Sequence, residues 1–235
     1  MTSELSLQQA GTAIELTLKA SLRARVMRLK VDSRTGAVTL TYPRHISKRK
    51  ALHWATEQKE WIETAVAAVP AAVPISPGGE LPVEGRPRRI DWDERRSRLV
   101  KLEADRLLLG GPIETVEPRI LRWLKQHARK LLEQETREFA AKASVAVSRV
   151  GIGDPLSRWG SCSTSGSIRY SWRLILAPDW VRRATVAHEV AHRVHMNHGP
   201  HFHELVETLL ESDPKPARLW LRREGAKLHR IGVSR

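Results

Sequence analysis

The sequence predicts an α+β protein, with a β-rich N-terminal region followed by a mixed, mainly helical domain. Three observations predict it. Apolar and polar residues alternate loosely through 14–42, the two-residue period of half-buried strands. From Pro118 to about residue 143 the apolar residues recur at helical spacing instead. Six of the ten histidines fall between His188 and His203, on a further helical segment, so one part of the chain carries a side-chain chemistry that the rest lacks.

Taken in order, Ile14, Leu16, Leu18, Val26, Leu29, Val31, Val38, Leu40 and Tyr42 mark two or three antiparallel strands, with a turn at 32–36. Pro43 ends them, and Ser47 is placed to cap a helix over about 48–68. Residues 69–87 hold five prolines and three glycines and read as a connector. A hairpin is expected over 88–110, turning at Asp105-Arg106, followed by the long helix after Pro118. Val145–Val150 and Ile168–Leu176 read as strands. Helices are expected from Pro178-Asp179, over about 200–211, and over 215–229. The composition shifts near 110–118, which gives an N-terminal region, 1–115, with one helix, and a second domain, 116–235.

The 235 residues suffice to bury a core, and 41% hydrophobic with 28% charged residues excludes a disordered or collagen-like chain. The single cysteine, Cys162, closes no intramolecular disulfide and fits a reducing cytosol, so a cytoplasmic protein is expected. The first residues lack a basic segment followed by an apolar one, so no signal peptide is expected. The most apolar stretch, 65–75, is too short for a bilayer and holds two prolines, so no membrane partner is expected. The net charge is +14, and residues 19–50 carry ten Lys and Arg against one acid while 214–235 carry seven against one. Neither stretch contains the histidine cluster. Both are basic flanks able to hold nucleic acid non-specifically.

His188-Glu189-Val190-Ala191-His192 is an H-E-x-x-H pattern. On a helix, i and i+4 lie on one face, so both imidazoles reach one ion, and Glu189 stands where it takes a proton from a metal-activated water. A catalytic zinc needs a third protein ligand. His195 follows on the same face but sits roughly 10.5 Å along the axis from His188, which suits a supporting role. His198 becomes the third ligand if the helix ends near 196, with Asn197 in a left-handed turn and Gly199-Pro200 restarting the chain. Glu207 and Glu211 on the next helix are the carboxylate alternatives, and His198 is favoured over them. His203 lies close by, a packing or pocket residue. Arg158 is a candidate clamp for a substrate anion, or else a structural ion pair. Tyr170 is a candidate oxyanion donor or a packed strand residue. Gly160 suits a close backbone approach. Residues 168–176 are the candidate strand of a sheet ahead of the histidine helix, and a sheet edge is where an extended peptide can add as a further strand.

The segments Arg158-Trp159-Gly160-Ser161-Cys162, Trp172–Pro178, HEVAH and Asn197–Phe202, in this order, resemble the YgjP-like metal-dependent hydrolases, relatives of the SprT and WLM zinc metallopeptidases. The resemblance covers most of the chain. It implies a zincin-like metallopeptidase domain with Zn2+ on His188, His192 and His198 and with Glu189 as base. One departure is His203, where that family often has an aromatic residue, commonly Trp. This leaves the ligands intact and alters the adjacent pocket. The expectation is a zinc-dependent metallopeptidase acting on a protein or peptide substrate. The alternatives are a metal-dependent hydrolase of a nucleotide or phosphoanhydride, and a nucleic-acid-binding module with a structural metal.

Overall fold

The computed structural model describes residues 6–9 and 12–233. Contacts group the chain into two compact units, one ending at Ala72 and one beginning at Val73.

In the first unit, β1 (Ser6–Gln9), β2 (Thr12–Ser21), β3 (Arg28–Val31) and β4 (Val38–Pro43) form a sheet in the order β1-β2-β4-β3. Of the predicted alternation, Ile14, Leu16 and Leu18 on β2 and Val38, Leu40 and Tyr42 on β4 are buried, whereas Leu29 and Val31 on the edge strand β3 are half-buried and Val26 is exposed in the loop before it. The sheet is not wholly antiparallel as expected, because β2 and β4 pair in parallel. Alternation determines which face of a strand is buried but carries no information about a neighbour's direction. The helix starts where predicted, with Ser47 Oγ accepting from the Lys50 amide at 3.3 Å. It breaks at Gln58 into α1 (Lys48–Glu57) and α2 (Lys59–Ala67), whose Ala51, Ala55 and Ile62 face the sheet's core.

The second unit opens with β5 (Glu80–Val83), β6 (Arg86–Trp92), β7 (Lys101–Glu103) and β8 (Arg106–Leu109), in the order β5-β6-β8-β7. The Pro/Gly-rich stretch is thus more than a connector, for it holds β5 and the Glu84-Gly85 turn into β6, both turn residues having positive φ. The β7–β8 hairpin forms, while β6 and β8 run parallel. A Cβ on Gly85 would stand 2.5 Å from Cα of Pro178, so this turn packs directly against the start of the histidine helix. Leu81, Val83, Ile90, Leu107 and Leu109 share one core with the helices that follow, which is why residues 73–115 pack in the second unit.

Next come α3 (Val116–Lys142), β9 (Arg149–Gly153), β10 (Gly160–Cys162), β11 (Ser167–Ser171), α4 (Asp179–Ala191), α5 (Pro200–Leu210) and α6 (Lys215–Leu228). The helix α3 buries Ile120, Leu124, Ala128 and Leu132, a four-residue stripe. The strand expected over 168–176 ends at Ser171, and residues 172–176 form a fully buried 3-10 turn. A continuous apolar run has no period to separate the two conformations. β11 is central, between β10 and β9, so β10 rather than β11 is the sheet edge nearest α4. Two buried arginines tie the unit together. Arg182 on α4 forks onto Glu135 of α3, and Arg173 joins Asp154 to the Leu228 and Ile231 carbonyls. No helix among the described residues is long and apolar enough to cross a membrane.

Candidate metal centre

Most of α4 is buried, with Val181, Ala184, Val186, Ala187, Val190 and Ala191 packed inside. His188 and Glu189 therefore sit on a rigid, central helix. That helix ends at Ala191, earlier than expected, and the chain tightens as Arg193 N donates to Val190 O and Val194 N to Ala191 O. Asn197 is not left-handed. Gly199 and Pro200 nonetheless restart the chain as anticipated, as N-cap and first residue of α5.

The early turn brings His198 back over the helix. Its Nε2 lies 3.2 Å from Nε2 of His188, and donor atoms of His188, His192 and His198 all fall within 4.8 Å of one another. Three nitrogens about 2.0–2.1 Å from one tetrahedral ion lie roughly 3.3 Å apart, a spacing the His188–His198 pair matches, so the cluster suits a metal of that kind. His192 Nδ1 is 3.1 Å from the His195 carbonyl. A carbonyl only accepts, so Nδ1 carries the proton and Nε2 keeps its lone pair. The buried ring of Phe202 backs all three imidazoles, with centroids 4.9, 4.6 and 4.7 Å from those of His188, His192 and His198. Burial, helped by the neighbouring imidazoles and Arg218, pushes His188 down to about 4. It stays neutral, the form that binds a metal.

Glu189 is buried, and burial pushes its carboxyl up to about 7 against the opposing pull of Arg158. That places a proton acceptor near neutrality beside the histidines. A cavity of about 280 Å³ opens between Glu189 and α6, lined by Arg158, Trp159, His188, His203 and Arg218 among others.

The remaining sequence candidates divide. Arg158 and His203 line the cavity, the His203 ring 6.3 Å from that of His198. His195 contributes its backbone carbonyl, while its ring faces His201. Tyr170 is fully buried, its hydroxyl 3.0 Å from Thr136 Oγ1, and it does not line the cavity. Glu211 pairs with Lys142, and neither it nor Glu207 joins the clustered donors. Cys162 donates weakly to the Ser163 carbonyl and lies outside that cluster too. Two site residues had no role assigned from the sequence. Phe202 entered only as the end of the Asn197–Phe202 motif, and Arg218 is one of many cations in a basic flank.

The family model of the YgjP-like, metallopeptidase domain matches residues 25–224. No curated protein and no solved structure matches the chain.

Proposed function

The chain belongs to the YgjP-like metallopeptidase family, and from that premise we propose that it is a zinc-dependent peptidase hydrolysing peptide bonds at the His188–His192–His198 cluster. One observation carries the reading: three imidazole nitrogens converge within 4.8 Å of one another, beside a buried glutamate. Three imidazole nitrogen donors suit zinc, and the glutamate is the group that a purely structural site does not need. A bound zinc supplies Lewis acidity at the scissile carbonyl and makes water more acidic.

The chain's own residues do the rest. Glu189 accepts the proton of the attacking water and delivers it to the departing amine, base first and acid second. Its pKa, raised by burial to about 7, equips it for both directions near neutral pH. The His195 carbonyl holds His192 in one tautomer, and Phe202 keeps the three rings from turning away. An extended substrate adds as a strand along the β10 edge, where Gly160 brings the backbone up to Glu189.

The test is incubation of the zinc-loaded chain with an unstructured protein and a set of peptides, beside Glu189→Gln and a chelated control. Zinc-dependent appearance of new N-termini, absent in the variant, is the expected result. Turnover of nucleotides with all peptides intact would replace this reading by that of a phosphoanhydride hydrolase.

A further inference from the structure

We propose that the cavity beside the histidine cluster is a specificity pocket for a carboxylate on an apolar stem, gripped by Arg158 and Arg218. The proposal rests on the peptidase reading and names the class of residue such a substrate presents.

Two chain segments far apart in sequence converge on this cavity. Arg158 stands just ahead of β10, and Arg218 lies on α6. What brings them together is Trp159, whose ring stacks on His229 with centroids 5.0 Å apart. The same ring packs so closely on α6 that a Cβ on Gly225 would meet it at 2.7 Å. The segment bearing Arg158 is thereby pinned to the helix bearing Arg218.

Some arginines of this unit are held by acids. Arg182 holds Glu135, Arg173 holds Asp154, and Arg96 and Arg106 share Asp91. Arg158 and Arg218 form no ion pair and no side-chain hydrogen bond with any described residue. Glu189 is the one acid among the cavity's lining residues, against the two arginines. The cavity is therefore electropositive, while Val206 and Leu221 give its wall an apolar face. An isolated carboxylate is costly to bring out of water, and two forked guanidinium groups compensate for that cost where an amide or a methyl group gains nothing. The anion that a peptide itself brings is a carboxylate. It comes either from an internal glutamate or from the C-terminus of a chain whose last side chain fills the apolar part.

The experiment uses the full chain in two forms. Binding is read by fluorescence anisotropy with Glu189→Gln, and turnover with the zinc-loaded wild type. One peptide pair is C-terminally amidated and differs only in an internal Glu or Gln. The other lacks internal acids and differs only in a free or amidated C-terminus. The expected result is that one acid outbinds its matched amide by about tenfold, the size of a charge-assisted contact, and the pair that shows this identifies the source. Arg218→Met removes the preference and Arg218→Glu turns it toward a Lys-bearing peptide, with Arg158→Met as the second variant. Equal binding of acid and amide in both pairs, or a preference untouched by Arg218→Met and Arg158→Met, would overturn the pocket. Acid-selective binding without cleavage by the wild type supports the pocket and removes the peptidase reading. Cleavage without acid preference does the reverse.

Discussion

Gly160 on the β10 edge lies against the carboxyl group of Glu189. A Cβ at position 160 would stand 2.5 Å from Cγ and 2.7 Å from Cδ of that side chain, and closer still to Oε1. The glycine is needed here for space, since its φ is not in the left-handed region. The Arg158–Cys162 segment therefore sets where the buried carboxyl group can be.

Gly160→Ala is expected to push Glu189 aside and lower kcat by at least ~100-fold, the scale of a lost or misplaced general base, while zinc content stays unchanged. Metal analysis beside single-turnover rates checks this. A variant with normal turnover would show that the carboxyl group need not occupy its present position.

Glu189 also makes the metal-free protein pH-sensitive. Burial lifts its pKa to about 7, well above the ordinary carboxylate range. The folded state thus binds a proton more tightly than the unfolded chain, and stability is lost as pH rises from that range through the higher value. The loss is on the order of 3 kcal/mol. Glu189→Gln lacks this loss but retains the His188 titration, so the difference between the two proteins isolates it. Urea unfolding of both metal-free proteins at pH 5 and pH 8 is expected to show the variant gaining over the wild type at the higher pH. An equal offset at both pH values would contradict the burial.

His195 supports His192 through its backbone carbonyl at 3.1 Å, with its own imidazole turned to His201. His195→Ala is therefore expected to keep zinc affinity within about twofold, well short of the ~10–100-fold loss typical when a supporting hydrogen bond is removed. His198→Ala removes a clustered donor and is expected to lose far more. Competition with a zinc-binding dye separates the two, and a tenfold loss in His195→Ala would assign the role to its ring.

Arg182 and Glu135 clamp α4 to α3 with side chains each only 4% exposed. Arg182→Met strands a buried carboxylate and is expected to cost about 3–5 kcal/mol, whereas adding Glu135→Leu recovers most of it. Denaturant midpoints of the single and double variants test the pair. A neutral single variant would show that Arg183, whose Nη1 lies 3.9 Å from Glu135, or water takes over the carboxylate.

Much of this arrangement was legible in the residues. Pro118 lies in the first turn of α3, Pro178 just ahead of α4 and Pro200 at the start of α5, because a residue without an amide hydrogen and with fixed φ belongs at a helix start. HEVAH placed two donors on one helical face, and Gly199-Pro200 marked the break that returns His198 to them. Other features were not legible. The parallel pairing of β2 with β4 and of β6 with β8 depends on partners distant in sequence. The apolar run 172–176 has no period to distinguish a strand from a turn. The end of α4 at Ala191 was set by local amide-to-carbonyl contacts rather than by Asn197.

The charge shows the division most clearly. By itself the sequence determined the +14 and its concentration in 19–50 and 214–235, because charge is a count along the chain. It also determined the spacing of the histidine donors, because a helix has a fixed period. Only the tertiary structure decided that Arg218, from the second basic stretch, lines the same cavity as Arg158, His188 and Glu189. It likewise decided that Gly160 meets Glu189 and that Phe202 backs all three imidazoles. These are meetings of residues separated by turns and strands, made by the burial of apolar surface between elements, and no local pattern encodes them.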